Sequence, residues 1–71
     1  MDMQTFDLQL VDQKYTIEPQ ENGTYRIFAG EEKLGVIYPE VGEFGTEWKT
    51  MDELEEGFVA QIGELISEHQ G

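Results

Sequence analysis

Tyr15-Thr16-Ile17-Glu18-Pro19-Gln20-Glu21-Asn22-Gly23-Thr24-Tyr25-Arg26-Ile27-Phe28-Ala29 holds two alternating runs around one turn signal, and its reading decides the fold. Tyr15 and Ile17 alternate with Thr16 and Glu18, the period of a half-buried strand. Pro19 ends that strand or marks it as an edge, because proline cannot donate to a ladder. Asn22 and Gly23 both tolerate positive φ, which the two-residue type I′ hairpin turn demands. A longer loop over residues 19–23 joins the same two strands equally well. In the strand at 24–29, Tyr25 and Ile27 face one side and Arg26 and Phe28 the other.

The same period extends outward in both directions. Phe6, Leu8 and Leu10 alternate with Asp7 and Gln9, predicting a strand over residues 5–11, and the short polar break at Asp12-Gln13 makes a hairpin with the next strand. After a turn at 30–32, residues 33–38 form a fourth strand with Leu34 and Val36 on one face and Ile37 on the other. Gly35 inside it marks a bulge or a close backbone approach. Residues 39–45 (Pro-Glu-Val-Gly-Glu-Phe-Gly) read as the longest irregular segment, and residues 46–49, centred on Trp48, as a short fifth strand.

Residues 51–68 switch to a helical period. Thr50 and Glu53 have the spacing of a capping box. Asp52, Glu53, Glu55 and Glu56 crowd the first turns, where the helix dipole favours negative charge. At 100° per residue Met51, Leu54, Phe58, Gln61, Ile62 and Leu65 share one face, with Val59 and Ile66 along its edge. Glu56, Ala60, Gly63 and Ser67 then line the exposed back. Gly63 there is a tolerated glycine or a smooth spot for another backbone, and the neighbouring acids favour the first. The expected fold is a single acidic α+β domain over residues 1–71. It is an antiparallel meander of four to five short strands with one C-terminal helix packed on one face, since a half-buried sheet needs a cover. A small open barrel capped by the helix is the alternative.

Composition sets the limits on function. Sixteen Asp and Glu stand against four Lys and Arg, a net charge of −12 in 71 residues. A small domain needs a magnitude of only about 2–8 for solubility. The excess repels itself, so added salt is expected to raise the melting temperature. It also repels phosphate, so nucleic acid and anionic membrane are not expected partners. The carboxylates spread from Asp2 to Glu68 and decorate a folded surface. No disulfide or thiolate site exists without cysteine. The missing cysteines, and the lack of a basic-then-apolar N-terminal run, fit a cytoplasmic protein. No apolar stretch nears the ~20 residues of a membrane span.

Catalytic sets are lacking. Ser67 is the only serine, and it lies two positions from His69, the only histidine, so the two do not share a helix face. No nucleophile elbow, calcium loop or glycine-rich phosphate loop occurs. Glu31-Glu32 and the acids at 52–56 read as a solvated turn and a dipole-matched helix start rather than a metal site. No catalytic, cofactor-binding or metal-ligating residue is therefore expected, and the chain is not expected to be an enzyme. His69 reads as a frayed terminal residue rather than a pH-sensing contact. Trp48 reads as a core anchor. Phe44 lies among Glu40, Glu43 and Glu47 in the acidic segment. Its ring is either an anchor for a basic partner or a plug over the open end of the sheet, and burial favours the plug.

Tyr15-Thr16-Ile17, then Asn22-Gly23-Thr24-Tyr25-Arg26-Ile27, then Thr50-Met51-Asp52-Glu53-Leu54 opening a helix, resembles the N-terminal domains of HicB-type antitoxins over residues 14–69. The resemblance implies a short sheet followed by a helix, binding a small basic toxin. The chain departs from that family at Leu34-Gly35-Val36-Ile37-Tyr38-Pro39, where the family carries Pro-Asp-x-Pro-Gly. The leading expectation is a non-enzymatic interaction domain, a monomer or weak homodimer. It meets a basic protein surface through Glu40, Glu43, Phe44 and Glu47. The alternatives are a DNA mimic, whose carboxylates must form a dense ordered row, and a small hydrolase, which needs a concave acidic site.

Overall fold

The computed structural model describes residues 4–70, so Asp2 lies outside it. Five strands follow in chain order: β1 (Phe6–Leu10), β2 (Gln13–Pro19), β3 (Tyr25–Ala29), β4 (Glu32–Gly42) and β5 (Gly45–Thr50). One helix, α1 (Glu56–Gln70), closes the chain. The sheet is an antiparallel meander in the order β1-β2-β3-β4-β5, so β1 and β5 are both edges and the sheet is open. The fold is α+β, as the alternation predicts. No helix among the described residues is long and apolar enough to cross a membrane.

Registers place the apolar residues on one face. Phe6 lies opposite Ile17, Leu8 opposite Tyr15, and Ile17 opposite Ile27. Ile17, Ile27 and Ile37 are fully buried against Val59, Ile62 and Ile66 of the helix. Each such side chain contributes about 1.5–3 kcal/mol when removed from water. The helix face is rotated from the expected one. Val59, Ile62, Gly63 and Ile66 form its buried centre, Phe58 and Leu65 flank it half-buried, and Gln61 is exposed.

Several local readings change, each for a physical reason. The helix starts at Glu56, not 51, and Thr50 is no N-cap. Thr50 stays in β5 opposite Ile37. Its Oγ1 donates to the Val36 carbonyl at 2.7 Å and accepts from the Asp52 N–H at 3.0 Å. Asp52 Oδ2 accepts from the Val36 N–H at 2.8 Å. Val36 lies one residue past the end of β5, so these two side chains continue the ladder where strand backbone stops. With Thr50 and Asp52 so engaged, the first helical carbonyl is that of Glu55, which accepts from Val59 N–H at 3.0 Å. Met51 is left 91% exposed, off the helix face.

Residues 39–45 are not irregular. β4 runs on to Gly42 and pairs with β5 around a two-residue turn at Glu43-Phe44. Alternation from Val36 aims the backbone groups of Pro39 toward the β3 side, and β3 has already begun at Tyr25, opposite Ile37. No ladder bond is lost to the missing N–H.

The Asn22-Gly23 turn is the longer loop, not a two-residue type I′ turn. Gly23 alone carries positive φ (85°), and Asn22 Oδ1 accepts from Thr24 N–H at 3.2 Å and Thr24 Oγ1 at 2.6 Å. The tight two-residue hairpin forms instead at Val11-Asp12, where Val11 takes φ 58°.

Gly35 shows both features its position implies. The register shifts beside it, between Ile27 and Phe28. The shift sends Leu34 to the core and Val36, opposite Arg26, to the other face, so the two do not share a side. A Cβ on Gly35 would lie 3.0 Å from Asp52 Cβ and 3.1 Å from Leu54 Cδ1, so its absence lets residues 52–54 cross close over β4.

Three ring contacts seat the helix. Phe58 meets Tyr15 edge-on, with centroids 5.2 Å apart, and His69 stacks on Phe6 at 3.9 Å. His69 is thus docked on β1 rather than frayed. Trp48 packs against the core and lies flat over Gly63, so Gly63 is buried beneath the ring and not on the exposed back.

Candidate functional site

The four acidic-loop residues come together on the β4–β5 hairpin. Glu40 lies directly opposite Glu47, a like-charge pair that disfavours the hairpin. Glu43 and Phe44 form its turn, closed by Gly42 opposite Gly45, whose φ is 123°. Phe44 does not plug the sheet. Its ring is 95% exposed, and Val41 beside it is 94% exposed. At these exposures neither apolar side chain packs against the rest of the domain.

Glu47 is the best-anchored member. Its carboxylate takes the Lys49 ammonium at 3.2 Å, and its side chain lies over Gly42. The hydrogen bond from Lys49 to Glu47, then the Glu47 charge, hold the Lys49 pKa above its usual value, with Glu40 and Glu56 adding to the effect. Both side chains are about half exposed, so the pair adds little to stability.

The registers also sort the charges. Lys14 lies opposite Gln9, Arg26 opposite Glu18 and Val36, Lys33 opposite Phe28, and Lys49 opposite Tyr38. All these positions alternate with core residues, so all four cations of the chain sit on the helix-free face of the sheet. Arg26 is bound there to Glu18 at 2.8 Å. The helix and the segment leading into it carry only acids among their Asp, Glu, Lys and Arg: Asp52, Glu53, Glu55, Glu56, Glu64 and Glu68. The charge is therefore unevenly spread: the helix-free face of the sheet is mixed in sign, whereas the helix carries carboxylates and no Lys or Arg.

Two hollows accompany this arrangement. One, about 350 Å³, lies on the mixed face beside Arg26, Lys33, Tyr38 and Asp52. The other, about 460 Å³, runs between β5 and α1, past Trp48, Glu56, Ala60 and Glu64. It was not legible in the sequence, because it depends on how the helix lies along the last strand. No group of three or more His, Asp or Glu gathers as a metal site among the described residues.

No family model, curated protein or solved structure matches this chain. The likeness to HicB-type antitoxin domains thus rests on the quoted residues, and three of them sit in other settings here. Asn22-Gly23 sits in a longer loop, and Thr50 ends a strand instead of opening a helix.

Proposed function

We propose that the domain is a non-enzymatic interaction module that meets a basic protein surface with the tip of the β4–β5 hairpin. Phe44 is the apolar anchor, and Glu40, Glu43 and Glu47 steer the encounter. The observation that carries this reading is the 95% exposure of Phe44 at a turn bordered by carboxylates. An aromatic ring held out at a two-residue hairpin turn offers a large contact area from a single position. The net charge of −12 raises the rate of encounter with cationic surfaces, an effect that salt weakens.

The test is recovery of a partner from lysate by the wild-type chain and by a Phe44→Ala, Glu43→Lys variant. Both side chains are exposed, so the variant is expected to keep the circular dichroism and melting temperature of the parent. Loss of a salt-sensitive partner supports the reading. Equal recovery by both proteins removes the hairpin tip from consideration.

A further inference from the structure

We propose that the partner supplies an extended segment, with Lys or Arg at alternate positions, that adds to the sheet as a sixth strand along the free edge of β5. This rests on the basic-partner reading above and names how that partner is held. β5 is the last strand in the order, so one side of its backbone has no strand beside it.

The direction of its groups follows from Val36. Its N–H and C=O both point to the β5 side, where they meet Asp52 and Thr50. Alternation then makes Tyr38–Lys49, Glu40–Glu47 and Gly42–Gly45 the hydrogen-bonded pairs of the β4–β5 ladder. The backbone groups of Thr46 and Trp48 therefore point away from β4, along the free edge. An unpaired edge of this kind is a template for strand addition.

The groove beside this edge fixes the chemistry of the occupant. Residues 46–50 form one wall and the helix forms the other, with Glu56 and Glu64 one turn either side of the small Ala60. Partner residues opposite Thr46 and Trp48 share the helix-side face with them. Cations at those alternate positions would reach Glu56 and Glu64. The one cation at the groove, Lys49, is already held by Glu47. A second copy of this chain fits less well, because two-fold pairing of β5 would set the Glu56–Glu64 face against its own image.

The experiment adds a peptide of alternating lysine and valine, eight residues long, to the full chain and follows amide hydrogen exchange by NMR. A control peptide of the same sequence carries N-methyl groups on alternate backbone nitrogens, which keeps the charge and blocks strand pairing. The expected result is exchange slowed at least about tenfold at Thr46 and Trp48. The Glu47 and Lys49 amides, already bonded to β4, change little. The Glu56→Gln, Glu64→Gln double variant, altered only at exposed positions, is expected to bind roughly tenfold more weakly, about threefold per charge pair.

Equal binding of the N-methylated peptide, or protection confined to residues outside β5, overturns strand addition. So does slowed exchange at Thr46 and Trp48 without peptide that deepens with protein concentration, since a second copy then fills the edge. The two readings fail separately. Loss of the lysate partner with Phe44→Ala, Glu43→Lys, without peptide pairing at β5, sinks only the strand. Peptide pairing at β5 with undiminished recovery by that variant sinks only the hairpin tip.

Discussion

Gly63→Ala separates the tertiary arrangement from the helical pattern, because the two give opposite signs. On an exposed helix surface the change is favourable by about 1 kcal/mol, since alanine loses less backbone entropy. In the folded protein a Cβ at Gly63 falls on the Trp48 ring, overlapping Cγ, Cδ1 and Cδ2. Cγ is the root of the ring, so a small turn about the terminal bonds does not relieve the overlap. Either the indole withdraws by on the order of 1 Å, or the helix lifts off Ile17, Ile27 and Ile37. Overpacking of this kind costs about 1–3 kcal/mol, and a ring-root overlap belongs at the upper end. Subtracting the propensity gain leaves a net loss of about 2 kcal/mol. For a domain of this size that lowers the melting temperature by roughly 8–16 °C. Total stability is expected to be only about 4–10 kcal/mol, so the loss is large enough to read without ambiguity. Thermal and urea unfolding followed by circular dichroism at 222 nm measure it. Gly57→Ala is the internal control: nothing lies within 4 Å of a Cβ there, and the change is expected to stabilise by about 0.5–1 kcal/mol. In a Trp48→Leu background the cost of Gly63→Ala is expected to shrink by about 2 kcal/mol, the coupling of a contacting pair. A Gly63→Ala protein that melts higher than the parent, in step with Gly57→Ala, would refute the packing of Trp48 on the helix.

Three further outcomes follow from single interactions. Val11 holds φ 58° while 83% exposed, so Val11→Asn is expected to relieve left-handed strain without loss of packing and to stabilise by about 1 kcal/mol; a lower melting temperature would argue against that turn geometry. Thr50→Val keeps the shape and removes one donor and one acceptor, and is expected to cost about 1–2 kcal/mol and to speed exchange at the Asp52 amide, which loses its acceptor, while helix content holds. Loss of helical signal at residues 56–60 instead would restore Thr50 as a cap. Lys49 has a folded-state pKa raised by Glu47, so the contribution of the pair is present below the ordinary lysine pKa of about 10.4 and fades as pH rises through the folded value. Titration of the Lys49 side-chain resonances is expected to place its pKa above the ordinary lysine value and Glu47→Gln to bring it back, whereas an ordinary Lys49 in the parent would contradict the contact.

The sequence by itself determined the meander, the identity of the apolar sheet face and the one helix that covers it. Period-2 alternation at Phe6-Leu8-Leu10, Tyr15-Ile17 and Tyr25-Ile27 can bury only one side of a sheet, and each strand reports its own face without reference to any other. The same rule already assigns Lys14, Arg26 and Lys49 to the face away from the core. Tertiary structure decided everything that depends on where one element meets another. Thr50 and Asp52 have the side chains of a helix start, yet the unmatched backbone of Val36, 16 residues before Asp52, takes both. Gly63 has the position of an exposed glycine until Trp48 arrives from β5. Pro39 and Gly42 look like breakers, but the hairpin continues through them because β3 no longer faces Pro39 and the Glu47 side chain occupies the space above Gly42. Phe44 is left outside because the β4–β5 pairing places it in a two-residue turn, where it stays exposed. Local patterns record what each residue prefers among its sequence neighbours, and long-range contacts settle which of those preferences can be met at once.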